Sequence, residues 1–371
     1  MTHLFDPLTL RGLTLANRIG ISPMCMYSCD DDGRPTEWHL AHLLQRAIGG
    51  PAMVMVEATA VTADGRITPG DVGLWEDAQI PSHARLAAAI ARAGSVPAIQ
   101  IGHAGRKGSR KQAWFDAPAE PGWEIVAPSA IATGHFATPR ALREEEVAAL
   151  PGLFAASAKR AVAAGYRLIE IHGAHGYLLH QFYSPISNTR NDRWGGDFEG
   201  RTRLTLEVVK AVRAAIPDDM PLAIRFSHTD WIPGGWDTPD TVELARRVKA
   251  AGVDLVDVSS GGIEPTRQKI PIGPGYQVPG ATAVREGAQV AVAAVGLITE
   301  PDQAQAIIAE GRADMVFLAR AVLRDPYWPV RAAVALGRPD AVKGPPQYDR
   351  AWSGIGKVPM RLETGEPMPA L

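Results

Sequence analysis

Short runs of apolar residues recur along the chain at Ile19–Pro23, Met53–Glu57, Ala98–Gly102, Arg167–His172, Leu222–Phe226, Leu255–Ser259, Val290–Val295 and Met315–Leu318. They are continuous in Val, Ile, Leu and Met rather than alternating with polar residues. Strands buried on both faces of a parallel sheet have that pattern. Between them lie alanine-rich amphipathic segments, Ile80–Ala93, Arg143–Ala164, Phe198–Ala215, Pro239–Ala251 and Pro301–Gly311, which predict helices. Thr238-Pro239 and Thr299-Glu300-Pro301 set a capping hydroxyl ahead of a first-turn proline, and Gly94, Gly165, Gly252 and Gly311 close their segments. The strings AAGYRLIEI, AAGVDLVDV and AEGRADMVFL repeat one unit: a helix end, a glycine stop and a strand.

Eight such strands with helical crossovers predict an α/β fold, the (β/α)8 or TIM barrel. An open doubly wound sheet is the competing arrangement, but its dinucleotide fingerprint, G-x-G-x-x-G after a strand, is missing. Arg106–Thr138, rich in Trp, Gly, Pro and Ala, predicts a long loop over the barrel top after the third strand, a candidate lid or partner surface. The barrel is expected to occupy 1–338, and a proline-rich, mostly irregular C-terminal tail 339–371.

Composition narrows the setting. The chain has 371 residues and a net charge of -2, which argues against a nucleic-acid partner. Its two cysteines, Cys25 and Cys29, are too few for a disulfide framework or an iron–sulfur cluster and suit a reducing compartment. The N-terminus lacks a signal-peptide pattern, and no apolar run approaches the roughly 18 residues of a membrane span. The expectation is a cytoplasmic protein that acts on small molecules.

Chemistry in such barrels gathers at the C-terminal ends of the strands. Gly296 and Ala319-Arg320 follow strands seven and eight, where barrels commonly hold a phosphate, and Ser259-Ser260-Gly261 adds donors beside them. The alternative is tight turns with a surface arginine. His172 and His175 leave strand four together. They could begin a zinc site, but further ligands are not apparent; or they could grip a carbonyl oxygen and hold developing enolate charge. Tyr177, two residues on, could hand a proton to carbon. Arg225 closes strand five inside the ring and needs an anionic partner, which an anionic reduced flavin would satisfy. Lys107 is either a Schiff-base nucleophile or a solvated lysine in the turn after strand three.

SPMCMYS at Ser22–Ser28, VEATAV at Val56–Val61, HAGRK at His103–Lys107, HGAHGYLLHQFYSPISNTRNDRWGG at His172–Gly196, VDVSSGG at Val256–Gly262 and QYDRAW at Gln347–Trp352 resemble the old yellow enzyme family, in its thermophilic-like subclass with a redox-tuning cysteine. The likeness runs from Phe5 to Trp352. It implies non-covalent FMN, NADPH or NADH as reductant, and reduction of the activated C=C bond of α,β-unsaturated carbonyl compounds, with related electron-poor alkenes and nitro compounds. By position it implies flavin contacts from Ser22, Pro23, Met24, Cys25, Ala58, Gln100 and Arg225, and phosphate contacts from Ser260, Gly261, Gly296, Ala319 and Arg320. It further implies that His172 and His175 hold the substrate oxygen, Tyr177 donates the proton, Tyr27 faces the substrate and Cys25 tunes the flavin. The implied assembly is a homodimer or tetramer in which Arg350 enters the neighbouring active site and Trp352 anchors the contact.

The family often continues GGSxENR after the glycine pair, where this chain has Gly195-Gly196-Asp197-Phe198-Glu199-Gly200-Arg201; the expected consequence is a change in how the next helix is capped. A dienoyl-CoA reductase on the same barrel would need an iron–sulfur cluster. A flavin-free lyase using Lys107 and a flavin carrier without turnover are the remaining rivals.

Overall fold

A computed structural model describes residues 1–352 apart from 116 and 121, without the side chains of 349 and 352. Eight parallel strands, Ile19–Ile21, Met53–Ala60, Val96–Gly102, Leu168–Gly173, Leu222–Ser227, Leu255–Ser259, Ala291–Val295 and Met315–Leu318, close into a barrel in chain order. They are called the first to eighth strands below. Closure excludes the open-sheet alternative. Seven helices fill the crossovers: Glu37–Ile48, Ile80–Arg92, Glu144–Ala163, Phe198–Ala215, Thr238–Ala250, Val278–Ala288 and Pro301–Ala309. Arg320–Arg324 and Trp328–Ala335 follow the eighth strand, and Leu178–Tyr183 is a short helix in the loop after the fourth. Among the described residues, no helix is long and apolar enough to cross a membrane.

Two cores result. One lies between strands and helices, built from residues such as Ile99, Phe154, Ile171, Val208 and Val316. The other fills the barrel interior with Met53, Met55, Ala98, Leu168, Leu255, Met315 and Phe317. A hairpin not foreseen from sequence, Leu8–Leu10 with Leu13–Leu15, packs Leu10, Leu13 and Leu15 against that interior core. Because apolar residues fill that core, a ligand is left the opposite mouth.

Two of the seven crossover helices have no counterpart in the sequence pattern, for identifiable reasons. Glu37–Ile48 buries His39, His42 and Arg46 beside Leu43 and Ala47, so polar residues interrupt its apolar stripe. Val278–Ala288 contains Pro279 and Gly280, poor helix formers, yet a Cβ on Gly280 would lie 2.6 Å from the His228 ring. The glycine stops behave as expected: Gly94, Gly165, Gly252 and Gly311 all have left-handed φ. The caps differ by one residue. Asp237 rather than Thr238 caps its helix, accepting from Thr238 N–H at 2.8 Å, and Glu300 rather than Thr299 occupies the other cap. The first strand stops at Ile21, short of Pro23, which lacks the N–H to continue it.

The GGDFEGR departure is resolved locally. Asp197 caps helix Phe198–Ala215, accepting from Gly200 N–H at 2.9 Å, in place of the usual serine. A Cβ on Gly200 would fall 1.9 Å from the Gly195 carbonyl oxygen, so this turn requires glycine.

Candidate active site

At the mouth of the barrel the fourth, fifth and sixth strands gather Glu170, Arg225 and Asp257, all buried, with Arg225 opposite Asp257 in register and Glu170 close enough to feel both charges. Arg225 Nε lies 3.0 Å from Asp257 Oδ2, ion-pair distance at an angle that makes no hydrogen bond. Gln100 on the third strand donates to Glu170 Oε1 at 2.7 Å, while Glu170 Oε2 and both Asp257 oxygens accept no hydrogen bond from the described residues. Burial raises both carboxyls above their ordinary range, Asp257 to about 6, and Arg225 opposes this in each. Asp257 is thus the anionic partner that Arg225 required, already within the chain. Ser22, past the first strand, lies 3.4 Å from Arg225 through its hydroxyl.

Above this cluster is a cavity of about 220 Å³, lined by Arg225, Ser259, Gln277, Gly296, Ala319 and Arg320 among others. The expected phosphate residues of strands seven and eight therefore meet in one space. Ser260 and Gly261 do not line it. Ser260 donates to Gln277 Oε1 at 2.7 Å, and Gly261 N–H donates to Thr229 O at 2.8 Å. Gln277, unmarked in the sequence reading, organises this wall by accepting from Ser260 and donating to Val295 O at 2.9 Å. Gly296 has φ +112°, and a Cβ there would lie 2.5 Å from Gln277.

The loop after the fourth strand carries the next group. The rings of His172 and Tyr177 are 4.9 Å apart and those of His172 and His175 5.2 Å, all edge-on. His172 Nδ1 accepts from Ala174 N–H at 3.2 Å, which leaves the ring proton on Nε2. Burial, with Arg225 next, holds both imidazoles well below their usual range, so both are neutral donors at pH 7. His175 Nε2 is 2.7 Å from Ser259 Oγ. Among the described residues no group of three acidic, His or Cys side chains converges as a metal site, so the zinc alternative finds no further ligands. Burial, then Cys25, Tyr27 and Asp71, raises the Tyr177 hydroxyl, keeping it protonated.

Lys107, half-buried at the edge of the mouth, has its amine engaged by two backbone carbonyls. Its Nζ donates to His175 O at 2.7 Å and Gly262 O at 3.1 Å, tying two loops together, and burial lowers it to about 8. Arg106, 1% exposed, likewise donates to Ile131 O and Ile263 O, fastening the long loop after the third strand.

Pro23, Met24, Cys25, Met26 and Tyr27 follow the first strand as a half-buried run. Burial, together with Glu57 and Asp71, raises the Cys25 sulfhydryl well above an ordinary thiol, and the neighbouring Ala58 N–H and Tyr27 hydroxyl only partly oppose this. It is a thiol, not a thiolate. Ala58 sits at an irregularity of the second strand, between Val56 and Thr59, and lines a recess with His172 and Tyr177. Buried Glu57 accepts from Met26 N–H at 2.9 Å and holds the run in place. Asp71, raised by burial to about 7, accepts from Ile67 N–H, Thr68 N–H and the Thr68 hydroxyl, and shares a recess with Ala58, His172 and Tyr177. Glu57 stands at the predicted end of the second strand, where the sequence assigns it no role, and Asp71 carries no local pattern that marks it. Beside them, Tyr27, Lys107, Arg110 and Tyr177 line an opening of about 240 Å³.

Residues 3–339 match the model of the NADH:flavin oxidoreductase / NADH oxidase family. The chain belongs to that family. It is 46% identical over 353 residues, 95% of this chain and 99% of the relative, to an NADPH dehydrogenase of Geobacillus sp. (strain WCH70). It is 45% identical over 354 residues, 95% and 100% of the two chains, to an NADPH dehydrogenase of Halalkalibacterium halodurans. Among solved structures, morphinone reductase superposes with TM-score 0.77 at 26% identity, covering 90% of each chain. A 2-naphthoyl-CoA reductase complex gives TM-score 0.82 at 27% identity over 91% of this chain, which spans about half (53%) of that longer protein. This family member is an FMN-dependent NAD(P)H oxidoreductase of the old yellow enzyme type.

The mouth fits FMN on the chain's own chemistry. Glu170, Arg225 and Asp257 retain buried polar atoms without hydrogen-bond partners, and the cavity wall at Gly296, Ala319 and Arg320 combines small residues with a cation.

Proposed function

We propose that this oxidoreductase reduces the activated C=C bond of α,β-unsaturated carbonyl compounds, with other electron-poor alkenes and nitro compounds as further substrates. The observation that carries the reading is the pair of neutral imidazoles, His172 and His175, beside a protonated Tyr177. Bound FMN supplies the hydride chemistry between nicotinamide and alkene. Ser22, Pro23, Met24, Ala58, Gln100 and Arg225 hold its ring system, and Gly296, Ala319 and Arg320 its phosphate. His172 and His175 donate to the substrate oxygen and stabilise the enolate charge that develops there. Tyr177 delivers the proton to Cα, and Tyr27 lines the substrate's approach. The decisive experiment is anaerobic reduction by NADPH or NADH, followed by mixing with 2-cyclohexenone. Reoxidation of the flavin with formation of cyclohexanone is expected, and Tyr177→Phe should slow that step while leaving reduction unchanged. A reduced enzyme indifferent to every enone would overturn the reading; equal slowing of both steps would make Tyr177 structural.

Cys25 is the tuning residue in this proposal, which places the chain in the thermophilic-like subclass. A thiol that does not titrate near neutrality acts on the flavin as a fixed dipole. Cys25→Ala is therefore expected to shift the flavin potential and absorption by the same amount from about pH 6 to 8. Cys29, also held as a thiol by burial, should be silent when replaced. Equal responses of the two variants would remove the role.

The assembly proposed is a homodimer, able to pair into a tetramer, in the cytoplasm. The barrel, 1–338, forms the catalytic body and the tail from 339 the subunit contact. In the tail, short turns at Pro339–Ala341 and Pro346–Tyr348 lead to Asp349–Trp352. Exposed Arg350 lines neither mouth cavity of its own chain. The Trp352 side chain and residues 353–371 lie outside the described residues. Beside the tail is a groove of about 470 Å³ with exposed Trp38 and Tyr348 on its rim, which suits a second copy of the chain. Mixing inactive His172→Ala with inactive Arg350→Ala subunits should restore activity, because one site of each mixed dimer carries both intact residues. No recovery despite demonstrated exchange would return Arg350 to its own subunit.

A further inference from the structure

The loop that carries the substrate-binding groups is held in an unusual backbone conformation. His175 has φ +59° and Gly176 φ +73°, two consecutive left-handed residues, the first of them not glycine. A Cβ on Gly176 would lie 2.1 Å from Gly262 O, so the loop is also pressed against the loop after the sixth strand. Each backbone polar group of the two residues is held by a side chain from elsewhere. His175 N–H donates to Ser227 Oγ at 2.9 Å and His175 O accepts from Lys107 at 2.7 Å. Gly176 O accepts from Gln181 Nε2 at 2.7 Å, and Gly176 N–H donates to His180 Nδ1 at 2.9 Å.

The last contact differs from the rest because its acceptor has two tautomers. His180 Nε2 lies 2.7 Å from Asp230 Oδ1, and both side chains are 0% exposed. Asp230 Oδ2 accepts from Ser184 Oγ at 2.7 Å and Trp236 N–H at 2.8 Å. The carboxylate therefore keeps the imidazole proton on Nε2 and the Nδ1 lone pair free for Gly176. We propose that the His180–Asp230 pair is a positioning device for catalysis: it fixes the tautomer that locks Gly176, and through Gly176 the aim of His175 and Tyr177 at the substrate. This rests on the reading of His175 and Tyr177 given above.

Isosteric variants separate this from simple packing. In Asp230→Asn the Trp236 N–H still demands an oxygen at the Oδ2 position, so the amide NH₂ must face His180 Nε2. That moves the imidazole proton to Nδ1, where it opposes Gly176 N–H. His180→Gln retains reach toward Asp230 but offers Gly176 no acceptor, whereas His180→Asn places an oxygen where Nδ1 stood. In the FMN-loaded full chain, Asp230→Asn and His180→Gln are expected to slow flavin reoxidation by 2-cyclohexenone by about 10–100-fold and raise its KM, with FMN content unchanged; His180→Asn should stay within about threefold of wild type. The ¹⁵N shifts of the wild-type His180 ring should report the proton on Nε2. Reoxidation unaffected in Asp230→Asn and His180→Gln would overturn the proposal. So would a proton on Nδ1 in the wild type, or loss of rate only in proportion to lost FMN and lowered Tm in all three variants. If the wild type itself ignores enones, the functional reading fails separately, and the ring shifts still decide whether the pair sets the tautomer.

Discussion

His172→Ala and His175→Ala are each expected to slow alkene reduction by about 10²–10³, the usual consequence of removing one donor from a site that stabilises developing oxyanion charge. His172 is 4% exposed and neutral, with Nδ1 committed to Ala174 N–H, so it presents a single Nε2 proton that needs no reorganisation when charge develops. His175 makes its contact with Ser259 Oγ in the structure, and a carbonyl oxygen would compete for the same Nε2. The loss should fall on reoxidation of the flavin by the enone, measured by anaerobic stopped flow, with FMN content preserved because neither ring lines the cavity at Gly296 and Arg320. An enone reaction as fast as wild type in both variants would dismiss the imidazole pair as the oxygen site. His172→Asn, which retains a donor, should recover part of the rate.

Arg225→Met should be the most damaging single change to the folded chain. It removes the cation from between two buried carboxyls, and breaking a buried ion pair from one side typically costs about 3–5 kcal/mol. Folding and FMN retention are expected to fall together. The sign of the pH dependence follows from the raised carboxyls. Asp257 in the folded protein stands at about 6, above its unfolded value, so its favourable contribution is complete below the unfolded value and is lost as pH rises through about 6. Without Arg225, which opposes that rise, the loss moves to higher pH and becomes larger. The Tm deficit of Arg225→Met against wild type should therefore be smaller near pH 5 than near pH 8, and Asp257→Asn in the same chain should recover part of it. A deficit independent of pH and unmoved by Asp257→Asn would show that Arg225 acts through packing alone.

The eight strands and most crossover helices were legible because a strand covered on both faces must be continuously apolar, and a helix packed on one side must alternate its faces. The glycine stops were legible for an equally local reason, the left-handed backbone that closes each helix. Glu37–Ile48 escaped because its buried face contains His39, His42 and Arg46, which are tolerated only with partners supplied elsewhere in the fold. Such partners leave no mark on the local pattern.

The same division runs through the active site. His172, His175 and Tyr177 share one stretch of chain, and Gly296, Ala319 and Arg320 mark strand ends, so the sequence by itself determined their proximity to the barrel mouth. Only the tertiary structure decided their chemical state. Asp257 and Glu170 stand 32 and 55 residues from Arg225, on the strands to either side of it: Asp257 is opposite Arg225 in register, and Glu170 lies two residues before His172, the register partner of Arg225 on the fourth strand. Lys107 became a tie between loops because the carbonyls of His175 and Gly262, from two separate loops, meet at its Nζ, and Cys25 is held further from ionisation than an ordinary thiol by burial beside Glu57 and Asp71. Residue identity and local period are properties of short segments and can be read from them. Desolvation, tautomer and charge pairing depend on groups that meet only when distant segments close on one another.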